Sequence, residues 1–549
     1  MSFISPLRLT AVLLGPLIAP AVAFAAQAPL SDHQALYPRL VRISHDANVA
    51  HNGIIIASVS SFDGGGHEDI FASHDNGATF ALTGTVQDSD FTKGLCCGGL
   101  YELPTAIGAM PAGTLLWAGS VGGDTPADPM QIKIYKSLDQ GAHWTYLSNC
   151  VTGTKPRSQG GLWEPEFTIA GNGRLVCFYS DETQVGHSQT LSYVQSADGV
   201  TWSTPVNVVA SADANDRPGM ANVVKLPDGS YVMSFEMCGP LNCAAFVKTS
   251  ADALTWGDAT SHGTAITLAD GTTFWHTPTL TWAPTAGTTH GQLVLQGQIL
   301  VKNGVVQPGN GKTLFINAAG DGTGAWTAFD APVTVSMPDG TAGNYCENYS
   351  SPLLAVDNGK TVLQLASDFD GAVCKTYVNR AALGGVSLNG GNIAVTKGSS
   401  ATGDFTLTAG PSFAGSYNLS VDVPGIPADV TLSDASVTLS PSGATTVHVT
   451  VKPTASADAG SHNIAYAGLF GTFLFGAGGL AVGKSKVAGA LVVASCLTLS
   501  GCGGSGGGSG TTPPTTVSTD YAGTITATHA LDATVTATAN FKITLTKTV

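Results

Sequence analysis

The stretch Gly113-Thr-Leu-Leu-Trp-Ala-Gly-Ser-Val121 begins with the glycine of a tight turn and continues as an apolar run of strand length. The arrangement occurs six times, and the glycines are Gly53, Gly113, Gly173, Gly229, Gly291 and Gly359. Intervals of 60, 60, 56, 62 and 68 residues separate them. Asn-Gly or Asp-Gly before β-branched and aromatic residues is a hairpin signal, because the turn needs a positive φ. A period near 60 residues fits one four-stranded propeller blade, so we predict six blades.

A second sixfold pattern consists of prolines that precede these turns. They are Pro38, Pro104, Pro165, Pro218, Pro278 and Pro352, each expected at the start of a short strand. Proline cannot donate a ladder hydrogen bond and therefore belongs on an edge strand or at a strand start. The innermost strand of a propeller blade is such an edge. Both patterns predict an all-β, six-bladed propeller over about residues 29–384.

A third pattern lies between the first two and resembles the Asp-box, or bacterial neuraminidase repeat, of sialidase-like propellers. Its copies run over residues 73–80, 137–144, 196–202 and 250–256, with a degenerate copy at 321–326. An aspartate in such a turn can accept backbone N–H groups while the aromatic residue fills the space between sheets. We therefore assign structural roles to Asp75, Asp139, Asp198 and Asp252.

Composition restricts the class of protein. The chain has 549 residues, with 38 acidic and 23 basic residues and a formal charge of −15. Nucleic acid is therefore not expected as a partner. Residues 1–25 contain one basic residue, an apolar run and Ala23-Phe24-Ala25, a pattern that predicts a cleaved signal peptide and a secreted or cell-surface protein.

Ten cysteines in an exported chain indicate disulfides. The expected pairs are Cys96 or Cys97 with Cys150, Cys238 with Cys243, and Cys346 with Cys374.

The C-terminal third is less regular. Residues 391–455 alternate Thr, Ser and Val between turns and predict a small immunoglobulin-like sandwich. Residues 464–502 are apolar and Gly-rich, which allows a membrane segment. A Gly/Ser/Thr/Pro linker over 503–518 precedes terminal strands over 519–549, which could complete the sandwich. We expect a monomer.

Polar residues beside the six prolines should converge at one mouth of the central channel, and the strands after the glycine turns end in further carboxylates. Convergent ionisable groups in a concavity indicate a binding site. The candidate substrate-binding residues are Arg39, Asp63, Asp181, Arg217, His276, Tyr345 and Tyr349. Structural alternatives remain for some: Arg39 and Arg217 as ion-pair partners, His276 as a core histidine, and the nearby Glu102 as a wall residue.

Glycoside hydrolysis needs two carboxyl groups, one protonated to release the leaving oxygen and one ionised. The best pair is Glu164 in Gly-Leu-Trp-Glu-Pro-Glu and Glu236 in Val-Met-Ser-Phe-Glu-Met-Cys-Gly. Each lies among apolar or aromatic neighbours, where a carboxylate is costly without a function. Glu166 is a rival carboxylate.

Around these residues the sequence resembles the exo-arabinanase family of sialidase-like propellers, glycoside hydrolase family 93. The matching motifs are Tyr37-Pro38-Arg39, Leu162-Trp-Glu-Pro165, Tyr179-Ser-Asp181, Arg217-Pro-Gly-Met220, Leu226-Pro-Asp-Gly229 and Phe235-Glu236. The resemblance covers roughly residues 35–384. It implies a retaining, exo-acting attack on α-1,5-linked arabinan, with Glu164 as nucleophile and Glu236 as acid/base. No metal or cofactor follows from that mechanism.

Two other functions remain open. An exo-sialidase would fit the Asp-boxes, but sialidases as a family bind the substrate carboxylate with three arginines, and this chain has seven in all. Arg39 or Arg42, Arg217 and Arg380 could be recruited. A propeller that only binds glycan or protein is the non-enzymatic alternative.

Overall fold

The computed structural model describes residues 26–285, 288–336, 344–410, 413–440, 443–454, 516–531, 533 and 535–548. The predicted signal peptide, the predicted membrane segment 464–502 and linker residues 503–515 lie outside this part of the chain. Within the described residues, no helix is long and apolar enough to cross a membrane.

The first three blades each consist of four antiparallel strands in sequential order. After a short strand β1 (Ala28–Pro29), the first blade contains β2 (Leu36–Arg42), β3 (Ile55–Ser61), β4 (His67–Ser73) and β5 (Ala81–Val86). The second contains β6 (Leu95–Glu102), β7 (Leu115–Val121), β8 (Gln131–Ser137) and β9 (Thr145–Thr152). The third contains β10 (Leu162–Ile169), β11 (Leu175–Asp181), β12 (Thr190–Ser196) and β13 (Val206–Val209).

The fourth blade is enlarged by strands from neighbouring connections. It contains β14 (Arg217–Lys225), β15 (Tyr231–Cys238), β16 (Ala244–Ser250), β17 (Thr264–Ala265), β18 (Thr272–Trp275), β21 (Ile299–Lys302) and β22 (Val305–Val306). The fifth contains β19 (Thr279–Ala283), β20 (Gln292–Gln296), β23 (Thr313–Asn317) and β24 (Trp326–Asp330). The β21–β22 hairpin therefore leaves the fifth blade and extends the sheet of the fourth.

The sixth blade closes the ring with strands from both ends of the propeller. It contains β25 (Leu353–Val356), β26 (Thr361–Asp370) and β27 (Val373–Ala382), and β1 pairs with β27 at its outer edge. Short 3₁₀ helices occupy Val49–His51, Ser89–Lys93, Arg157–Gln159, Gly239–Leu241 and Asp357–Gly359. The described residues thus form a six-bladed propeller, as predicted, and each glycine turn leads into the second strand of its blade.

The proline pattern is only partly correct. Pro38 and Pro165 lie within innermost strands, and Pro278 directly precedes one. Pro104, however, follows β6 and lies in the turn towards β7, so its assignment to a strand start was wrong. In the second blade, Gly98 occupies the position that a proline has in the first and third, because the register shift of β6 falls between Cys96 and Gly99.

The core lies between neighbouring sheets. Trp117, Tyr179, Tyr231, Phe235 and Phe315 are fully buried there. Such aromatic side chains contribute large apolar areas to the space between the twisted blades.

A separate pair of sheets follows the propeller. Its strands are β28 (Val386–Gly390), β29 (Ile393–Thr396), β30 (Ala401–Ala409), β31 (Gly415–Asp422), β32 (Ala428–Leu432), β33 (Ser436–Leu439), β34 (Ala444–Pro453), β35 (Thr516–His529) and β36 (Thr536–Thr548). One sheet has the order β28-β30-β34-β32 and the other β29-β36-β35-β31-β33. Phe405 and Phe541 pack against each other between them, with ring centroids 5.0 Å apart. The immunoglobulin-like assignment stays a prediction.

Four disulfides join described cysteines. Two are the expected pairs, Cys238–Cys243 and Cys346–Cys374. The third expectation was wrong, because Cys150 bonds to Cys177 of the next blade, while Cys96 and Cys97 bond to each other.

Candidate active site

A ring of residues in the left-handed backbone region surrounds the propeller axis. One residue at the start of each innermost strand has a positive φ: Tyr37, Cys97, Glu164, Met220, Thr277 and Ser350, with φ of 52, 63, 59, 58, 47 and 57°. In the first four blades this residue lies in a register shift of the innermost strand. A bulge of this kind changes the direction of a side chain, and it is common beside active sites. Glu164 occupies this position in the third blade.

An open cavity of about 780 Å³ lies at this end of the axis. Of the predicted residues, six contribute to its wall: Glu164, Glu236, Arg217, His276, Tyr345 and Tyr349. The wall also contains residues that were not predicted as site residues, among them Tyr37, the Cys96–Cys97 pair, Trp163, Glu182 and Gln189.

Glu164 is half-buried, and two hydrogen bonds fix its carboxylate. Oε2 accepts from Ser180 Oγ at 2.5 Å and from the backbone N–H of Met220 at 3.1 Å. Burial, with the nearby charge of Glu182, raises the pKa of Glu164, while the hydrogen bonds from Ser180 and Met220 and the charge of Arg217 oppose that rise. The surroundings therefore stabilise the ionised form in part.

Glu236 lies on β15 and is 8% exposed. Its Oε2 accepts from the backbone N–H of Thr277 at 2.7 Å, and His276 Nδ1 is 3.7 Å away. Burial, followed by the nearby carboxylate of Glu164, raises the pKa of Glu236 to about 8. Of the two carboxyl groups, Glu236 has fewer hydrogen bonds that favour ionisation, and it is the better proton donor near neutral pH.

Gly219 of β14 is a neighbour of both glutamates. Gly219 pairs with Glu236 across the sheet, and its neighbour Met220 donates to Glu164. A Cβ atom at Gly219 would lie 3.4 Å from Glu164 Oε2 and 2.5 Å from Gln189 Nε2. The absent side chain therefore leaves room for the carboxylate of Glu164 and its neighbours Ser180 and Gln189.

Arg217 is held by an anionic partner that sequence reasoning missed. Its Nη2 bonds to Glu182 Oε1 and, at 2.8 Å, to Gln189 Oε1. Burial is the largest single influence and opposes ionisation of Glu182, but the hydrogen bonds from Arg217, Trp163 and the backbone of Gly161, with the charge of Arg217, together lower its pKa. The available sequence signal was the position of Glu182 directly after Asp181, where β11 ends at the cavity.

Three tyrosines form a row from the floor of the cavity to its rim. Ring centroids are 5.9 Å apart between Tyr37 and Tyr349 and 5.4 Å apart between Tyr349 and Tyr345. Tyr345 is 66% exposed. Burial, with contributions from Glu236 and Glu164, raises the pKa of Tyr349 well above its ordinary value, so this hydroxyl stays protonated.

Three predicted binding residues lie outside the cavity wall. The guanidinium carbon of Arg39 lies 4.1 Å from the ring centroid of Tyr37, and Arg39 donates to Ser350 Oγ. Arg39 therefore supports Tyr37 at the floor of the cavity and does not line the wall. Asp63 accepts from the backbone N–H of Gln34, and Asp181 from that of Thr183. Both residues lie where a strand ends and a loop begins, so their carboxylate oxygens accept hydrogen bonds from the loop backbone.

The remaining carboxylates considered at the channel also bind protein groups. Glu166 accepts from Asn222 Nδ2 and Val223 N, each at 3.0 Å, and Glu102 accepts from the backbone of Ser44 and His45. Burial raises the pKa of Glu166 to about 7. Neither residue lines the cavity.

The Asp-box aspartates lie in turns after the third strand of four blades. The residues that donate backbone N–H groups to them are Thr79 to Asp75, His143 to Asp139, Thr201 to Asp198 and Thr255 to Asp252. None of the four lines the cavity.

Four potential metal ligands meet beside Glu236. Ligand atoms of Glu236, Cys238, Cys243 and His276 all lie within 4.8 Å of one another. Because Cys238 and Cys243 are joined in a disulfide, their sulfurs are not thiolates, and the group offers one carboxylate and one imidazole.

Comparison with solved structures finds similar structures, among them two complexes with arabinobiose. The first is an α-L-arabinanase of Penicillium chrysogenum complexed with arabinobiose, with 25% identity and a TM-score of 0.54 over 66% of this chain and 98% of that chain. The second is a GH93 α-L-arabinofuranosidase of Fusarium graminearum with arabinobiose, with 24% identity and a TM-score of 0.54 over the same shares. This propeller therefore resembles those of glycoside hydrolase family 93, as its motifs predicted. No family model and no curated protein matches the sequence.

Proposed function

We propose that the protein is a secreted, exo-acting, retaining glycoside hydrolase that cleaves α-L-arabinofuranosyl linkages in an arabinan-like polysaccharide. The observation that carries the proposal is the pair of carboxyl groups, Glu164 and Glu236, that line one cavity in different surroundings. The arabinobiose bound to the similar arabinanase supports the choice of sugar.

In this proposal Glu164 is the nucleophile. Its hydrogen bonds from Ser180 and Met220 N hold the carboxylate in one orientation and favour its ionised form. It attacks the anomeric carbon and forms a covalent glycosyl-enzyme. The bond to the leaving oxygen breaks as the new bond forms.

Glu236 is the general acid and then the general base. Its raised pKa keeps it protonated at neutral pH, so it can donate its proton to the leaving oxygen. In the second half-reaction the same carboxylate takes a proton from a water molecule that attacks the glycosyl-enzyme. The product then has the configuration of the substrate.

The sialidase alternative is disfavoured by the positions of the arginines. Among the described residues, only Arg157 and Arg217 contribute to the cavity wall. Arg39 lies beneath the floor, while Arg42 and Arg380 bond to Asn76. Three converging guanidinium groups, which a substrate carboxylate would require, are not gathered in this cavity.

The test is hydrolysis of linear α-1,5-arabinan and of a sialoside by the purified protein, with release of reducing sugar and of sialic acid as readouts. Glu164→Gln and Glu236→Gln serve as inactive controls for contaminating enzymes. We expect hydrolysis of arabinan alone. Sialic acid release would favour the alternative, and hydrolysis of neither with retained saccharide binding would favour a propeller that only binds glycan.

A further inference from the structure

The second blade contributes a disulfide between adjacent residues to the cavity wall. Cys96 and Cys97 are bonded to each other in β6, and both line the cavity. Cys97 is buried and has a φ of 63°, so it occupies in this blade the bulge position that Glu164 occupies in the next. The disulfide therefore neighbours the candidate nucleophile around the axis.

The backbone directly behind the disulfide leaves little space for movement. A Cβ atom at Gly98 would lie 2.7 Å from Trp117 Nε1, and one at Gly99 would lie 2.1 Å from the carbonyl oxygen of Pro165. Pro165 follows Glu164 in the same bulge. The packing of Gly98 and Gly99 thus fixes the disulfide relative to the strand that carries Glu164.

The cavity wall has two chemically different sides. The first and second blades supply mainly apolar groups: Leu36, Tyr37, Phe62, Leu95, Cys96 and Cys97. The elements of the third to fifth blades supply most of the ionisable or amide groups: Glu164, Glu182, Gln189, Arg217, Glu236 and His276. Gln34, Ser60 and Arg157 add polar groups beside the apolar residues, so a ligand in this cavity meets a mostly polar side and a mostly apolar side.

We propose that the Cys96–Cys97 disulfide is a specificity-determining platform that packs against the C–H face of the sugar whose anomeric carbon meets Glu164. This inference rests on the proposed function and adds a binding residue pair to it. Sulfur is polarisable and gains dispersion energy from close C–H contacts. A disulfide also donates no hydrogen bond, so it does not compete with the polar side for the sugar hydroxyls.

The rigidity of the pair gives a second reason for this role. A ring closed between adjacent residues has no side-chain rotation to lose when a ligand binds, whereas two separate apolar side chains would lose rotational freedom. Because the disulfide closes a loop with no residue between its cysteines, it adds little stability to the fold in the chain-entropy account. We therefore expect the Cys96–Cys97 disulfide to contribute to ligand binding and not to the stability of the fold.

The experiment compares Cys96→Ser/Cys97→Ser with the matched control Cys150→Ser/Cys177→Ser, which removes a disulfide away from the cavity. With α-1,5-arabino-oligosaccharides, we expect the first variant to raise KM about tenfold or more with kcat changed much less. Its melting temperature should stay near that of the wild type. The control should keep KM and lower the melting temperature, because its disulfide closes a longer loop.

A further variant and a binding measurement make the result decisive. Cys96→Ala/Cys97→Ala restores an apolar surface without the ring and should have a KM between those of the wild type and the serine variant. Titration of arabinobiose into Glu164→Gln, with and without the two serine substitutions, should show the same weakening through the fluorescence of Trp163, which lines the cavity.

The possible failures are distinguishable. If the wild type hydrolyses arabinan but the serine variant keeps its KM and its affinity for arabinobiose, the platform is overturned and the proposed function stands. If the wild type neither hydrolyses arabinan nor binds arabinobiose, the proposed function fails and the platform fails with it.

Discussion

At the scale of single residues, the site depends on unequal surroundings of two similar side chains. Ser180 and the backbone of Met220 both donate to Glu164, whereas Glu236 accepts one backbone N–H and is more deeply buried. Two titratable groups whose surroundings separate their pKa values suit a nucleophile and an acid/base pair.

The first prediction concerns the removal of either charge. Glu164→Gln and Glu236→Gln should each lower kcat by about 10²–10⁴-fold, because each half-reaction uses both groups. Glu166→Gln is the matched control: Glu166 lies outside the cavity wall, and the amide oxygen can still accept from Asn222 and Val223. Steady-state kinetics and circular dichroism spectra check both points. Wild-type activity in both variants of the pair would refute their assignment.

Azide separates the two roles. On an aryl arabinofuranoside with a good leaving group, azide should restore turnover of Glu236→Ala, because that variant can form the glycosyl-enzyme but cannot activate water. The glycosyl azide should have retained configuration, which nuclear magnetic resonance can measure. Rescue of Glu164→Ala with an inverted product is the result expected of a missing nucleophile. Inverted product from Glu236→Ala would reverse the assignment.

The second prediction is a pH dependence. The acid must be protonated, and the pKa of Glu236 is about 8, so kcat/KM should fall as the pH rises through about 8. The pKa of Glu236 is above its ordinary value of 4.5. The contribution of this group to the stability of the fold is therefore fully present below about pH 4.5 and is lost as the pH rises through about 8. Unfolding of Glu236→Gln should therefore depend less on pH.

The control for the pH profile is again Glu166→Gln. The pKa of Glu166 is raised to about 7, so it could in principle produce a basic limb of its own. We expect the limb to remain in that variant. Its disappearance would assign the titration to Glu166 and contradict the role of Glu236.

At the scale of elements, the innermost strands decide where the chemistry lies. Glycine turns identified the second strand of every blade, because a positive φ before a β-branched run has a clear sequence signature. The bulges at the axis have no such signature: their left-handed residues include Tyr, Cys, Glu and Met. Glu164 could be predicted because it is a carboxylate among apolar neighbours. Cys97 occupies the equivalent bulge without such a signal, so it was not predicted as a site residue, and Pro104 was wrongly placed at a strand start.

The third prediction belongs to strand β14. Gly219→Ala would place a methyl group beside the carboxylate of Glu164, 3.4 Å from its Oε2 and 3.0 Å from Ser180 Oγ. Displacement of these groups should lower kcat about 10- to 100-fold, with the fold retained because the nearest contact is the end of the Gln189 side chain and not backbone. Unchanged kcat would mean that the space at Gly219 is not used. Gly391→Ala is the control for general glycine effects, because Gly391 lies far along the chain in the C-terminal sheets, has no positive φ and has open space around an added Cβ atom.

At the scale of the molecule, the propeller contains the whole candidate site. Closure of the ring by β1 brings the first and sixth blades together, so that Tyr37 meets Tyr349 and Arg39 meets Ser350 across more than 300 residues of sequence. The sequence predicted six blades and the convergence of six site residues at one mouth. It could not show which carboxylates at the strand ends line the cavity. Glu182 does, whereas Asp63 and Asp181 accept hydrogen bonds from loop backbone.

The fourth prediction concerns the two C-terminal sheets. Their core cluster lies within residues 386–543, and the cavity is lined by residues up to Tyr349. A chain that ends after residue 384 should therefore keep kcat/KM for soluble oligosaccharides within about threefold of the full chain. Kinetics on soluble oligosaccharides and on insoluble polysaccharide would separate catalysis from attachment. Loss of activity on the soluble substrate, in a truncated chain that still folds, would show that the C-terminal sheets contribute to the site.

The central claim is a retaining cleavage of arabinan by Glu164 and Glu236, and the stereochemistry of the first product tests it most directly. Linear α-1,5-arabinan is hydrolysed in an NMR tube, and the anomeric signal of the newly released reducing end is recorded before mutarotation. Carboxyl groups separated by roughly 5–5.5 Å give retention, whereas roughly 6.5–9.5 Å leaves room for a water and gives inversion. We predict that the α configuration appears first and the β form later. Initial appearance of the β form would contradict the covalent mechanism and remove Glu164 from the role of nucleophile.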